Sequence, residues 1–252
     1  MAKIITFINE KGGVGKTSTC FNSAWELATT GKRVLCVDLD GQNANLTFFA
    51  GINKDSPLVG MIDVLKNGVS IKKAIVGVRP GLDIVPAGAE VVNLDMTAKL
   101  TRFKKATADV ADDYDYVFID VPPQPGWGHY LSLSVSDYAV IVMLPDIASL
   151  EGNKGVIDSI EEIQATSNDK LKILGFLFNK NESRTRLSQQ VAQAAEGMAT
   201  HFKTRIFDTK IRNTVVLGEN LVSHKGVTEY APKSPAADDV RDFVAELVKG
   251  AK

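Results

Sequence analysis

Asn9-Glu10-Lys11-Gly12-Gly13-Val14-Gly15-Lys16-Thr17-Ser18 is the stretch on which the reading of this chain turns. Ahead of it, Ile4–Asn9 is an apolar run of strand character; behind it, Thr17–Thr30 has helical patterning and stops at Gly31, a suitable C-terminal cap. Three glycines within four positions, Gly12, Gly13 and Gly15, let the backbone turn tightly and aim its N–H groups inward at phosphate oxygens. Lys16 then reaches the β and γ phosphates, the Thr17 hydroxyl takes one magnesium position, and the helix that starts here adds its positive dipole end. The strict pattern G-x-x-x-x-G-K-[ST] is broken at its first position, where Glu10 stands for glycine, and a second lysine, Lys11, follows it. A glycine-rich turn with two solvated lysines is the plain alternative. The strand before, the helix after and the Gly-Lys-Thr ending argue together for a nucleoside triphosphate site.

Outward from this loop, apolar runs alternate with helical patterns. The strand candidates are Ile4–Asn9, Val34–Asp38, Leu82–Pro86, Tyr116–Asp120, Tyr138–Leu144 and Ile173–Phe178. Near-continuous apolar runs are expected of strands covered on both faces. Helical patterns cover about Ala89–Ala111, Leu150–Ala165, Arg184–Ala199 and Ala236–Val248. The alternation predicts an α/β fold with a mostly parallel central sheet and helices on both faces, read as one domain over 1–252. Ligands in such sheets sit outside the carboxyl ends of the strands, so the residues just after each strand carry the chemistry.

Composition narrows the function classes. The chain has 252 residues, 44% hydrophobic and 23% charged, with a net charge of −1; it is neither a disordered polymer nor a polycation. Cys20 and Cys36 make no disulfide framework and no CxxC pair, and read as small buried apolar residues of a protein from a reducing compartment. The longest apolar run, Tyr138–Leu144, is far short of the roughly 20 residues of a membrane span.

Three strand ends carry further chemistry. Val37-Asp38-Leu39-Asp40-Gly41-Gln42 places two carboxylates at i and i+2, pointing the same way on an extended chain. One of them can orient an attacking water, which is the positioning that phosphoryl transfer needs. Ile119-Asp120-Val121-Pro122-Pro123 ends an apolar strand in a carboxylate that is costly to bury alone and that a magnesium ion, held through water, would satisfy. Asn179 follows the last strand candidate, and its amide both donates and accepts, which suits the edge of adenine; capping a turn is the other reading. Asn179-Lys180-Asn181-Glu182 is not a guanine-selective N-K-x-D loop.

Lys11-Gly12-Gly13-Val14-Gly15-Lys16-Thr17-Ser18 resembles the deviant Walker A loop of the ParA/MinD ATPases. The likeness runs from Lys3 to about Leu247 and is strongest with short, Soj-like partition proteins. It implies a P-loop NTPase fold, ATP and Mg2+ as ligands, and a weak ATPase activity. It implies that Lys11 crosses the interface of an ATP-bound homodimer to the partner's nucleotide. By the match to D-x-D-P-Q, Asp40 positions water and Asp38 supports the magnesium shell, with Gly41 in place of proline. By the match to D-T-P-P, Asp120 serves magnesium with Thr17, with Val121 in place of threonine. Asn179 takes the adenine role.

Residues 170–233 hold 11 basic and 5 acidic residues, a net of +6, while the remainder is net −7. A solvated face explains this as readily as a binding surface does. Within this region Lys210-Ile211-Arg212-Asn213 and Tyr230-Ala231-Pro232-Lys233-Ser234 resemble the family's I-P-R-N and Y-x-P-K-S stretches. The resemblance implies sequence-independent contacts to double-stranded DNA, with Lys203, Arg205, Lys210, Arg212, Lys225 and Lys233 as candidates. It further implies a ParB-like centromere-binding partner and a cytoplasmic, nucleoid-associated protein. The chain opens directly on a strand, so the helix-turn-helix extension of longer plasmid members and its operator binding are not expected.

The last helix pattern carries an apolar stripe of Val240, Phe243, Val244, Leu247 and Val248 under a polar face that is acidic on balance. Such a helix docks on its own domain rather than on anionic lipid, so no membrane partner is expected. The competing readings are a MinD-like membrane-cycling regulator and a metabolic enzyme of the same fold. A ligase would need a pocket for a small acceptor, and a reductase would need cluster cysteines that the chain lacks.

Overall fold

The computed structural model describes residues 1–53, 58–88, 95–181 and 186–252. Its sheet contains β1 (Lys3–Ile8), β2 (Val34–Asp38), β3 (Val76–Arg79), β4 (Leu82–Val85), β5 (Tyr116–Asp120), β6 (Tyr138–Met143) and β7 (Lys172–Phe178). The spatial order is β3-β4-β2-β5-β1-β6-β7. Every pairing is parallel except the β3–β4 hairpin at one edge. The six strands expected from sequence are all present. β3 was not expected: Val76-Gly77-Val78-Arg79 is short, contains glycine and lies half-exposed at the edge, so it lacks the apolar run that marks its neighbours.

Side chains alternate across the sheet and feed a core on each face. From β5, Val117 and Ile119 join Leu35, Val37, Ile141 and Phe176 beneath the helices Met61–Asn67, Met96–Val110, Trp127–Val135, Ile147–Thr166 and Arg186–His201. Tyr116 and Phe118 join Ile5, Phe7, Cys36 and Val140 beneath the helices Lys16–Thr29 and Pro235–Gly250. Covering on both faces is what makes the central strands continuously apolar. Cys20 and Cys36 are free and buried, as their composition suggested.

Helix ends follow local chemistry. Lys16–Thr29 is followed by Gly31 at φ 84°, the left-handed turn that glycine adopts without strain. Asp146 caps the helix Ile147–Thr166, its carboxylate accepting from Ser149 N at 2.6 Å. Ser234 caps Pro235–Gly250, with proline in the first turn. The helix expected over Ala89–Ala111 is described from Met96 to Val110; residues 89–94 lie outside the described residues. The same holds for 184–185 at the start of the helix expected over Arg184–Ala199. Trp127–Val135 was not expected, because its Pro125-Gly126 entry reads as a loop.

In the C-terminal helix Val240, Phe243, Val244 and Leu247 are buried against the domain, as its stripe predicted, and Val248 packs alongside. No helix among the described residues is long and apolar enough to cross a membrane.

Candidate functional site

The carboxyl ends of β1, β2, β5 and β7 meet at one cleft of about 620 Å³. Its floor is Gly12, Gly13, Gly15, Lys16, Thr17 and Ser18; Asp40, Asn43 and Phe49 stand on one side, and Asn179, Lys180 and residues 212–215 on the other. Chain order explains the convergence. The sheet's order reverses around β1, so the loops after β1 and its neighbours open onto the same crevice.

Gly15 sits at φ 94°, and a Cβ there would collide with Asn179 Nδ2. That amide donates to Val14 O at 2.8 Å, so Asn179 at the end of β7 braces the loop after β1 while it lines the cleft. Val14 is fully buried, and Ser18 Oγ donates to Gly15 O at 3.0 Å. Lys16 is 5% exposed, and its Nζ donates to Lys11 O at 3.4 Å across the loop. Burial lowers its pKa, opposed by Asp120 and Asp40.

Thr17 Oγ1 donates to Asp120 Oδ2 at 2.7 Å. Asp120 is wholly buried, and its other oxygen, Oδ1, has no hydrogen-bond partner among the described residues. Burial and the nearby Asp38 push this carboxyl well above the usual range, against the pull of Thr17 and Lys16. A hydroxyl beside an orphaned carboxylate oxygen at a phosphate loop fits a hard divalent cation bound through water.

Asp38 and Asp40 have separated tasks. Asp38 is wholly buried; Oδ1 accepts from Asp40 N at 3.0 Å, and Oδ2 accepts from Thr47 N at 2.9 Å and Thr47 Oγ1 at 2.8 Å. Burial raises its pKa to about 6, with the Thr47 bonds pulling the other way. It therefore pins the loop that carries Asp40. Asp40 itself faces the cleft, and its oxygens accept from Asn43 N at 3.1 Å and Asn43 Nδ2 at 2.9 Å.

Lys11 stands at the cleft's edge. Its Nζ is 2.9 Å from Asp146 Oδ2 and 3.5 Å from Ser149 Oγ. Asn9 orders this turn: Oδ1 accepts from Lys11 N at 2.8 Å, and Nδ2 donates to Val142 O and Asn153 Oδ1, both at 2.7 Å.

A sequence family described as an AAA domain matches residues 2–173. The sporulation initiation inhibitor protein Soj of Bacillus subtilis is 34% identical over 253 residues, which cover 98% of each chain. The chromosome-partitioning ATPase Soj of Thermus thermophilus is 32% identical over 246 residues, 97% of this chain and 94% of that one. This chain belongs to the ParA/MinD family of ATPases. Among solved structures, cobyrinic acid a,c-diamide synthase from Mycobacterium smegmatis, with bound ADP and magnesium, is 26% identical. It superimposes with a TM-score of 0.83 over 99% of this chain and 95% of that one.

The C-terminal third of this ParA/MinD chain uses its basic residues in two ways. Lys203, Lys210, Lys225 and Lys233 are exposed; Lys210 Nζ lies over the Phe178 ring at 5.5 Å, and Lys225 pairs with Glu229 at 3.3 Å. Arg205 and Arg212 are engaged elsewhere. The Arg205 guanidinium donates to Leu174 O at 3.3 Å and Glu246 O at 2.9 Å, and stacks on Phe207 at 4.6 Å. Arg212 lines the cleft and pairs with Asp239. Charge alone could not separate these roles, since it says nothing of the carbonyls and carboxylates that fold against each guanidinium.

Sequence reasoning also missed Asp146, Asn9 and the apolar wall of Phe49, Val215, Leu217 and Leu221. Asn9 directly precedes the loop and was within reach of inspection. Asp146 was not, because it lies 135 residues from Lys11.

Proposed function

We propose that this chain is a ParA-type partition ATPase. ATP with Mg2+ occupies the cleft, and the ATP-bound chain forms a sandwich homodimer. The dimer binds double-stranded DNA without sequence preference, and a ParB-like partner stimulates hydrolysis and releases it. The observation that carries this reading is Lys11, a second lysine at the edge of the phosphate loop, held by a side-chain ion pair it can exchange for another anion. The full-length likeness to the Soj proteins supports the DNA half.

In this reading the N–H groups of Gly12–Thr17 and the Lys16 ammonium hold the polyphosphate. Thr17 and Asp120 hold magnesium, which neutralises charge on the β and γ phosphates when bound. Asp40 accepts a hydrogen bond from the attacking water and aligns it with the γ phosphorus, while Asp38 keeps the Asp40 loop in place through Thr47. Lys11 of each protomer contacts the partner's nucleotide. Lys203, Lys210, Lys225 and Lys233 contact DNA phosphates, and Arg205 serves the fold.

Asp40→Ala tests the catalytic half. The variant binds ATP, dimerises and stays on DNA, with turnover reduced at least a hundredfold, the scale of a lost water-positioning group. Turnover at the wild-type rate removes Asp40 from this role.

A further inference from the structure

Asp239, on the C-terminal helix, gives its whole carboxylate to one residue. Arg212 N and Nε donate to Oδ2 at 3.1 and 2.6 Å, and Arg212 Nη2 donates to Oδ1 at 2.7 Å. The Asp239 side chain is 13% exposed and that of Arg212 47%. Two helical turns further on, Glu246 accepts from Asp208 N at 2.9 Å, Thr209 N at 2.8 Å and Thr209 Oγ1. Residues seven apart share a helix face, so one face of this helix grips the segment 208–212 at both ends. The segment continues into Asn213, Thr214 and Val215, which line the nucleotide cleft with Arg212. Its opposite edge is tied to the end of β7, with Asn181 N on Ile211 O at 2.9 Å and Asn213 N on Asn181 O at 3.3 Å.

We propose that Asp239 is a positioning residue for the base half of the nucleotide site, acting through Arg212 on the wall formed by residues 212–215. The inference rests on the nucleotide reading given above. Asp239 has no hydrogen bond to Gly12–Ser18, so its effect falls on the base and not on the phosphates. The amide of an asparagine cannot replace it, because its NH2 would oppose an Arg212 donor.

The test is calorimetric titration of the full chain with Mg-ADP and, separately, with magnesium and inorganic tripolyphosphate. Asp239→Asn weakens ADP by about tenfold, on the scale of one charge-assisted hydrogen bond, and leaves tripolyphosphate within about twofold. Arg212→Gln, changed at a half-exposed side chain, gives the same split and serves if Asp239→Asn folds poorly. Combining the two changes adds little to either alone, as expected of a coupled pair. Unchanged ADP affinity in both variants, or equal weakening of both ligands, overturns the proposal. A wild-type chain that binds neither ligand overturns the nucleotide reading beneath it.

Discussion

Lys11 Nζ lies 2.9 Å from Asp146 Oδ2, so the loop lysine is tied to the cap of the helix Ile147–Thr166. Burial alone would raise the Asp146 pKa, but bonds from Lys11 and Ser149 outweigh it and hold the carboxyl below the usual range. In the proposed dimer, Lys11 leaves this partner to reach a second nucleotide. Both side chains are about a third exposed, so the pair contributes at most about 1 kcal/mol. Asp146→Asn keeps an oxygen for the cap and removes the charge. Each dimer breaks two such pairs, so it lowers the protein concentration needed for ATP-dependent dimerisation by up to about thirtyfold, read by sedimentation. Lys11→Ala binds ATP as a monomer; an ATP dimer in that variant contradicts the role.

Asn179 and Gly15 form a second coupled pair. Gly15→Ala meets both the Asn179 amide and a left-handed backbone, so it loses nucleotide binding and destabilises the chain by about 1–3 kcal/mol. Adding Asn179→Ala relieves the collision but not the backbone strain, so melting temperature recovers only in part. Full recovery would show that strain at φ 94° matters little.

Asp38 makes stability depend on pH. Its folded pKa of about 6 exceeds the model-compound value of 3.8, so the folded chain holds the proton more tightly. That contribution is present below about pH 4 and is lost as pH rises through 6, on the order of 3 kcal/mol in all. The stability of the wild type relative to Asp38→Asn therefore falls between pH 4 and 7 in nucleotide-free melts. Parallel curves for the two proteins would contradict the assignment.

In the proposed function Arg205 serves the fold and the exposed lysines contact DNA, and substitution separates the two. Arg205→Ala loses two carbonyl bonds and its stacking on Phe207, costing about 1–2 kcal/mol, or roughly 2–8 °C in melting temperature. Lys203→Ala and Lys233→Ala leave melting unchanged and each reduce the salt slope of DNA binding by about one. The opposite pattern would exchange the roles.

Much of this architecture is legible in the sequence, for physical reasons. β1, β2, β5, β6 and β7 are buried on both faces, and continuous apolar runs announce them. The glycine-rich loop is legible because its glycines and lysines stand at the fixed spacing of a motif. β3 was hidden because an edge strand needs no such run. The Asp38 partnership with Thr47 was hidden because the eight intervening residues include a turn and the start of a short helix that no periodicity predicts. The fates of Arg205 and Arg212 depend on Glu246, Leu174 and Asp239, which only folding brings near.

A nucleotide-switched DNA binder is tested most directly by binding to random-sequence duplex DNA with ATP and with ADP across a salt series. Binding with ATP only is expected, with log affinity falling linearly in log salt. Equal binding with both nucleotides, or none with either, would contradict it.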